Sequence, residues 1–170
     1  MDSIADAIIA NLNGQAVPIP HFEYIGVFDS RDGVPIGRKG IYIFTVSEEI
    51  TLSREMFNQY NNAQNWNNTN VGAGFNGAYY SPITVGTVFY LGKSSGKTGS
   101  VFQRLKVHFG DRTDSATSGI KMRMPERSFV NGKLQVHVFL FEKGNDDRYI
   151  IDVVEKKLHE KLRPITGGSQ

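Results

Sequence analysis

The residues that could do chemistry together are two tyrosine-containing tripeptides, an arginine–histidine pair and one glutamate. Gly-Ile-Tyr stands at 40–42, Tyr-Leu-Gly at 90–92, and Arg104 and His108 are four residues apart, so both project from one face of a helix. A guanidinium is permanently charged and can donate two hydrogen bonds to phosphate oxygens, so Arg104 is suited to stabilise a developing negative charge. One hard cation such as Mg²⁺ can be held by a single carboxylate, here Glu155, with waters and phosphate oxygens. These residue types suit phosphodiester hydrolysis, in which water is activated, charge is stabilised and a 3′ oxygen leaves.

Two residues, Tyr42 and His108, are candidates for the general base that activates the water. We expect the phenols of Tyr42 and Tyr90 to face one cleft, because their tripeptides belong to neighbouring strands. A phenol has a pKa of about 10 and is a poor base unless a cation or a hydrogen bond lowers that pKa. His108 has the better intrinsic pKa for the role.

Hydrophobic patterning predicts the helices and strands that must position these residues. Runs of β-branched and aromatic residues predict three strong strands, at 40–46, 85–91 and 134–141. A shorter strand is predicted before them, at 22–28. Helical spacing and capping residues predict helices at 2–12, 54–64, between Ser100 and Gly110, and from Asp146 or Asp147 to Leu162. The connection 45–87 lets the two central strands pair in either direction. We therefore expect a small α+β sandwich.

Length and composition indicate one folded domain. The 170 residues are 39% hydrophobic and 21% charged, which fits a single domain at 1–170, with a core at about 38–168 and an N-terminal helix and extension at 1–37. The absence of cysteine excludes disulfide frameworks, thiolate metal sites and cysteine nucleophiles. No apolar run approaches the roughly 18 residues of a membrane span, and the N-terminus lacks the pattern of a secretion signal. We expect a soluble, cytoplasmic protein without a membrane partner.

Basic residues are concentrated in one segment. Residues 92–128 contain eight basic and three acidic residues, a net charge of +5, although the whole chain carries only +2. Such a segment suits a surface that meets phosphates, and Lys93, Lys97 and Lys106 are its candidate nucleic-acid-binding residues; the alternative is an ordinary solvated surface. Residues 58–76 hold eight asparagines without periodicity, which predicts a long loop of the kind that often binds.

The two tripeptides, the arginine, the histidine and the glutamate follow one another along the chain in an order that resembles the GIY-YIG nuclease superfamily. Gly-Ile-Tyr is present unchanged, and Tyr-Leu-Gly differs by one conservative change. Arg104 and His108 match the family's arginine and histidine, and Glu155, in a helix leading to Pro164, matches its metal-binding glutamate. The resemblance covers residues 40 to about 167. It implies a small central antiparallel sheet of about three strands flanked by helices.

The resemblance also implies roles for these residues. Tyr42, Tyr90, Arg104, His108 and Glu155 would be catalytic, with Tyr42 activating or orienting water, His108 hydrogen-bonding nearby and Glu155 binding Mg²⁺ or Mn²⁺. The implied activity is metal-dependent hydrolysis of DNA. Restriction of foreign DNA fits the single-domain size, and the long connector between the tripeptides is similar to the target-reading insertions of restriction-type members. A lone active site cuts one strand, so a double-strand break requires a homodimer or sequential cuts.

Three other interpretations remain open. Family members often carry an asparagine shortly after the proline, whereas Pro164 is followed by Ile-Thr-Gly-Gly, so the chain could be a catalytically silent nucleic-acid-binding module on the same fold. The segment 92–98 ends in Gly-Lys-Thr, so the chain could be a nucleotide-binding protein that uses this turn as its phosphate loop. Such a loop needs four residues between its glycines, and this turn has three. Glu155 and His159 have a spacing that zinc can use, without an evident third ligand.

Overall fold

A computed structural model of the chain describes residues 1–62, 75–79, 81–110, 119–123, 125–142 and 148–167. Its strands are β1 (Phe22–Phe28), β2 (Gly40–Val46), β3 (Val88–Ser94) and β4 (Leu134–Phe141). Its α-helices are α1 (Asp2–Leu12), α2 (Arg54–Asn62), α3 (Val101–Phe109) and α4 (Arg148–Leu162), and a 3₁₀ helix spans Pro125–Val130. The chain is therefore α+β, as the sequence predicts.

The four strands form one antiparallel sheet in the order β1-β4-β2-β3. The prediction of about three strands is wrong by one, because β1 belongs to the sheet as an edge strand. Only Phe22 of β1 is buried, and the pairing with β4 shifts register at Gly26, which has a φ of 136°. An edge strand that is half exposed and bulged has a weaker hydrophobic pattern than a central one.

Most other predicted elements are present, with one shift that matters for the site. The helix α1 and the strands β1, β2 and β4 have their predicted bounds. Residues 85–86 form a turn, with Gly86 at a φ of 90°, so β3 starts later than predicted and continues to Ser94. Gly92 therefore lies inside the strand instead of following it. The predicted caps Asp146 and Asp147, and most of the asparagine-rich loop, lie outside the described residues.

Each face of the sheet carries its own apolar core, because successive strand residues point to opposite faces. Ile41, Ile43 and Leu91 pack with α1 and α4 on one face. Tyr42 and Tyr90 pack with α3 and residues near it on the other face. The two phenols therefore share one side of the sheet. Among the helices of the described ranges, none combines the length and apolar character needed to cross a membrane.

Candidate active site

The two tripeptides meet because β2 and β3 pair antiparallel. Tyr42 stands directly opposite Gly92 in the register. A Cβ atom added at Gly92 would lie 2.5 Å from the Tyr42 Oη and 2.6 Å from its Cζ. The glycine of the second tripeptide thus provides the space through which the Tyr42 side chain crosses β3. The Tyr42 and Tyr90 rings lie nearly parallel, with centroids 6.4 Å apart.

The helix α3 brings Arg104 and His108 to the same phenol. Its N-terminus is capped by the Ser100 hydroxyl, which accepts from the Gln103 N–H at 3.2 Å. Arg104 Nε donates to Tyr42 Oη at 3.4 Å, and His108 Nε2 lies 3.1 Å from the same oxygen. The predicted i, i+4 pair therefore converges on one oxygen atom.

A backbone contact decides which ring nitrogen of His108 carries the proton. The Ile120 N–H donates to His108 Nδ1 at 3.0 Å, so Nδ1 is an acceptor. The neutral ring then carries its proton on Nε2 and donates it to Tyr42. Burial lowers the pKa of His108 well below its ordinary value, and the positive charges of Arg104, Lys121 and Arg127 lower it further. His108 is therefore a neutral donor with both nitrogens engaged.

The electrostatic surroundings keep both phenols protonated. Burial raises the pKa of Tyr42, and the negative charge of Glu155 adds to this, although the Arg104 cation acts in the opposite direction. Burial also raises the pKa of Tyr90, again with a smaller contribution from Glu155. Burial lowers the pKa of Arg104, but the two phenols outweigh it, so the net shift is upward and Arg104 stays charged.

Glu155 approaches this cluster from the other face of the sheet. It lies on α4, which packs against β3, and its charge acts on Tyr42 and Tyr90 without a direct hydrogen bond to either. Its Oε1 lies 3.1 Å from His159 Nε2, and its Oε2 lies 3.4 Å from Lys93 Nζ. The structure thus brings four predicted residues into contact and places the fifth within electrostatic reach.

The donor set of Glu155 fits one hard cation. The residue is only 5% exposed, and its buried Oε2 forms no hydrogen bond within the described part of the chain. The Lys93 ammonium lies 3.4 Å from this oxygen, so a cation would bind there by displacing the ammonium. No group of three or more histidine, aspartate or glutamate side chains that could hold a metal occurs among the described residues. A cation at Glu155 would therefore need waters and substrate oxygens to complete its coordination.

The three candidate nucleic-acid-binding lysines lie in different environments. Lys97, in the turn between β3 and α3, and Lys106, on the outer side of α3, are exposed. Lys93 is partly buried and lies beside Glu155, since its Nζ is 3.2 Å from Asp152 Oδ1 and 3.4 Å from Glu155 Oε2.

The histidines considered for zinc do not converge. The ring of His137 lies 2.8 Å from the Tyr24 hydroxyl on β1, and His21 lies 3.7 Å from Glu142. His159 is occupied with Glu155. Within the described residues, the pair of Glu155 and His159 gains no third ligand.

Sequence reasoning missed Asp152 and the chain segment that covers Tyr90. Asp152 precedes Glu155 by three residues on α4, a helical spacing that is visible in the sequence. After Pro164 the chain lies beside Tyr90, since a Cβ at Gly167 would lie 2.7 Å from that ring. Asn76 Nδ2 donates to the carbonyl oxygens of Pro164 (3.2 Å) and Gly167. No local pattern in the sequence indicates this contact, because the partners are about ninety residues apart.

No family model, curated protein or solved structure matches the chain. The resemblance to GIY-YIG nucleases therefore rests on the residues of this chain, and membership of the superfamily stays a prediction.

Proposed function

We propose that this protein is a metal-dependent endonuclease of the GIY-YIG type that hydrolyses DNA phosphodiester bonds. The observation that carries the proposal is the convergence of Arg104 and His108 on the oxygen of Tyr42. Both neighbours are donors, so the Tyr42 O–H does not donate to either of them. A buried phenol that receives two donors, one of them a permanent cation, is arranged for more than packing.

The tautomer of His108 supports Tyr42 over His108 as the general base. A base must offer a lone pair to the water it activates. The lone pair of His108 is taken by the Ile120 N–H, and its Nε2 carries a proton. Tyr42 would act as the base only as the phenolate, which the Arg104 cation and the His108 donor both favour. His108 therefore acts as the donor that holds Tyr42 in place and stabilises negative charge on its oxygen.

Arg104 and Glu155 supply the two charges that the reaction needs. Arg104 is partly exposed, and its permanent charge would stabilise negative charge that develops on the phosphate. Mg²⁺ or Mn²⁺ held by Glu155 would supply positive charge at the phosphate and would offset the carboxylate charge that raises the pKa of Tyr42.

Exposed cations next to this cluster suit a DNA backbone. Lys97 and Lys106 lie in and beyond the turn that joins the Tyr-Leu-Gly strand to the Arg104 helix. Contacts of this kind set affinity and register without reading the base sequence. Restriction of foreign DNA is the setting we propose, with a homodimer or sequential nicking where both strands are cut.

Nicking of supercoiled plasmid DNA tests the proposal. The wild-type protein with Mg²⁺ converts the plasmid to the open-circle form, and EDTA stops this. Arg104→Ala and Glu155→Ala each slow nicking by at least about 10²-fold, because each removes a charge that acts on the transition state. Gln103→Ala and Lys156→Ala, at exposed positions next to the two residues, nick at the wild-type rate. Equal nicking by all four variants would contradict the assignment of the site.

The second candidate function is a silent nucleic-acid-binding module on the same fold. The observation that favours it is the ion pair between Lys93 and Glu155 (3.4 Å), which occupies the carboxylate proposed for the metal. This alternative predicts a DNA mobility shift that is lost on Lys97→Ala and Lys106→Ala, without strand cleavage at any Mg²⁺ or Mn²⁺ concentration.

A further inference from the structure

Lys93 places a positive charge between two carboxylates at the edge of the site. It is the residue after Gly92 on β3, and its side chain is 26% exposed. Its Nζ lies 3.2 Å from Asp152 Oδ1 and 3.4 Å from Glu155 Oε2. The Glu155 oxygen that it faces is the buried one without a hydrogen bond in the described part of the structure. The ammonium therefore stands where a positive charge satisfies Glu155.

We infer that Lys93 competes with the divalent cation for Glu155, so that metal binds the free protein only when the ammonium moves to Asp152 alone. This inference rests on the proposed function, because that function places the metal at Glu155. A hard divalent cation binds carboxylate oxygens at about 2.0–2.6 Å. An ammonium 3.4 Å from the same oxygen would lie close to that cation, and two positive charges at this separation repel strongly in a partly buried site.

Asp152 is built to receive the displaced ammonium. The Ser95 hydroxyl donates to its Oδ1 at 2.8 Å, and Arg148 Nε lies 3.4 Å from its Oδ2. These contacts hold the carboxylate in position whether or not Lys93 contacts Glu155. Lys93 therefore keeps one anionic partner when it leaves the other.

The competition makes metal binding depend on DNA. The free protein has a built-in counterion for Glu155 and so binds metal weakly. A phosphate in the site brings negative charge that attracts both the metal and the displaced ammonium of Lys93. Metal and DNA then each raise the affinity for the other, as thermodynamic linkage requires.

Mn²⁺ binding to the DNA-free protein, measured by the electron paramagnetic resonance of unbound Mn²⁺, tests the inference. We expect Lys93→Met to bind Mn²⁺ at least about tenfold more tightly than the wild-type protein. Lys156→Met removes the same charge at an exposed position next to Glu155, and we expect it to change the affinity by less than about twofold. Adding Glu155→Gln to Lys93→Met should abolish the gain. Lys93→Gln serves as a second variant, and circular dichroism verifies that each variant is folded.

Three results would overturn the inference. The first is Mn²⁺ binding by Lys93→Met and Lys93→Gln that is equal to or weaker than that of the wild-type protein. The second is a gain in Mn²⁺ affinity that persists when Glu155→Gln is added to Lys93→Met. The third is no Mn²⁺ binding by Lys93→Met up to about 10 mM Mn²⁺. Plasmid nicking separates this outcome from failure of the proposed function. A protein that gains Mn²⁺ affinity but never cleaves DNA refutes the nuclease and keeps the competition. A protein that cleaves DNA without the gain refutes the competition alone.

Discussion

Replacing Gly92 by alanine would place a methyl group against the Tyr42 phenol. The added Cβ would lie 2.5 Å from Oη, 2.6 Å from Cζ and 2.8 Å from Cε2. Ordinary contacts between such atoms are at about 3.5 Å, so the ring must move by about 1 Å. The ring cannot move freely, because it is buried against Tyr90 and bound to His108.

The size of the effect follows from this geometry. Overpacking a buried site costs about 1–3 kcal/mol of the free energy of unfolding. For a domain of this length, each kcal/mol lowers Tm by about 2–4 °C, so we expect Gly92→Ala to melt about 2–12 °C below the wild type. A displacement of about 1 Å at a reacting group can reduce the rate about 10²-fold. We therefore expect a similar loss in plasmid nicking.

Gly96→Ala is the matched control for this experiment. Gly96 lies four residues further along, has no positive φ, and has nothing within 4 Å of an added Cβ. Thermal unfolding followed by circular dichroism and the initial rate of nicking are measured for both variants. If Gly92→Ala melts and cleaves like Gly96→Ala, the proposed crossing of Tyr42 over Gly92 is refuted.

Three more outcomes are expected. Tyr42→Phe should lose about 1–3 kcal/mol in urea unfolding, because the buried Nε2–H of His108 loses its acceptor, and it should lose nicking activity. Burial lowers the pKa of His108 in the folded protein, so below pH of about 6.5 the unfolded chain takes up a proton that the folded protein does not. Stability should then fall by about 1.4 kcal/mol per pH unit as the pH decreases. Asn76→Ala removes the hydrogen bonds to the carbonyl oxygens of Pro164 and Gly167 and should speed amide exchange at Thr166 about tenfold.

Each of these outcomes has a result that would contradict it. Unchanged urea midpoints for Tyr42→Phe would mean that the His108 donor finds another acceptor. Ring-proton resonances of His108 that titrate with a midpoint near 6.5 in NMR spectra would show that the folded ring is not held neutral. Unchanged exchange at Thr166, whose N–H donates to the Phe89 carbonyl at 2.9 Å, would show that the Asn76 side chain does not hold the C-terminal segment.

Local patterns were sufficient to predict much of the scaffold. Ser100 and Gly110 bracket α3 as the sequence predicts, and the i, i+4 spacing of Arg104 and His108 does place both side chains at one oxygen. The apolar positions of α4 pack on the sheet as expected. These features depend on capping, helical periodicity and β-branched runs, which act over a few residues.

Contacts between distant segments were not predictable in the same way. The proton position on His108 depends on the Ile120 amide, and the environment of Lys93 depends on Asp152 and Glu155 of a helix far along the chain. A lysine in a basic segment suggests a phosphate contact, and nothing in its local sequence indicates a salt bridge inside the site. The strand β1 has its predicted bounds, but its place in the central sheet was not predicted, since that place depends on pairing with β4.

The central claim is that the cluster around Tyr42, with Glu155, hydrolyses DNA. Incubation of an end-labelled DNA duplex with the protein and Mg²⁺, followed by analysis of the product ends, tests it most directly. We expect fragments with a 5′ phosphate and a 3′ hydroxyl from the wild-type protein, and intact duplex from Glu155→Gln. Intact duplex with the wild-type protein, or identical fragments from Glu155→Gln, would contradict the account.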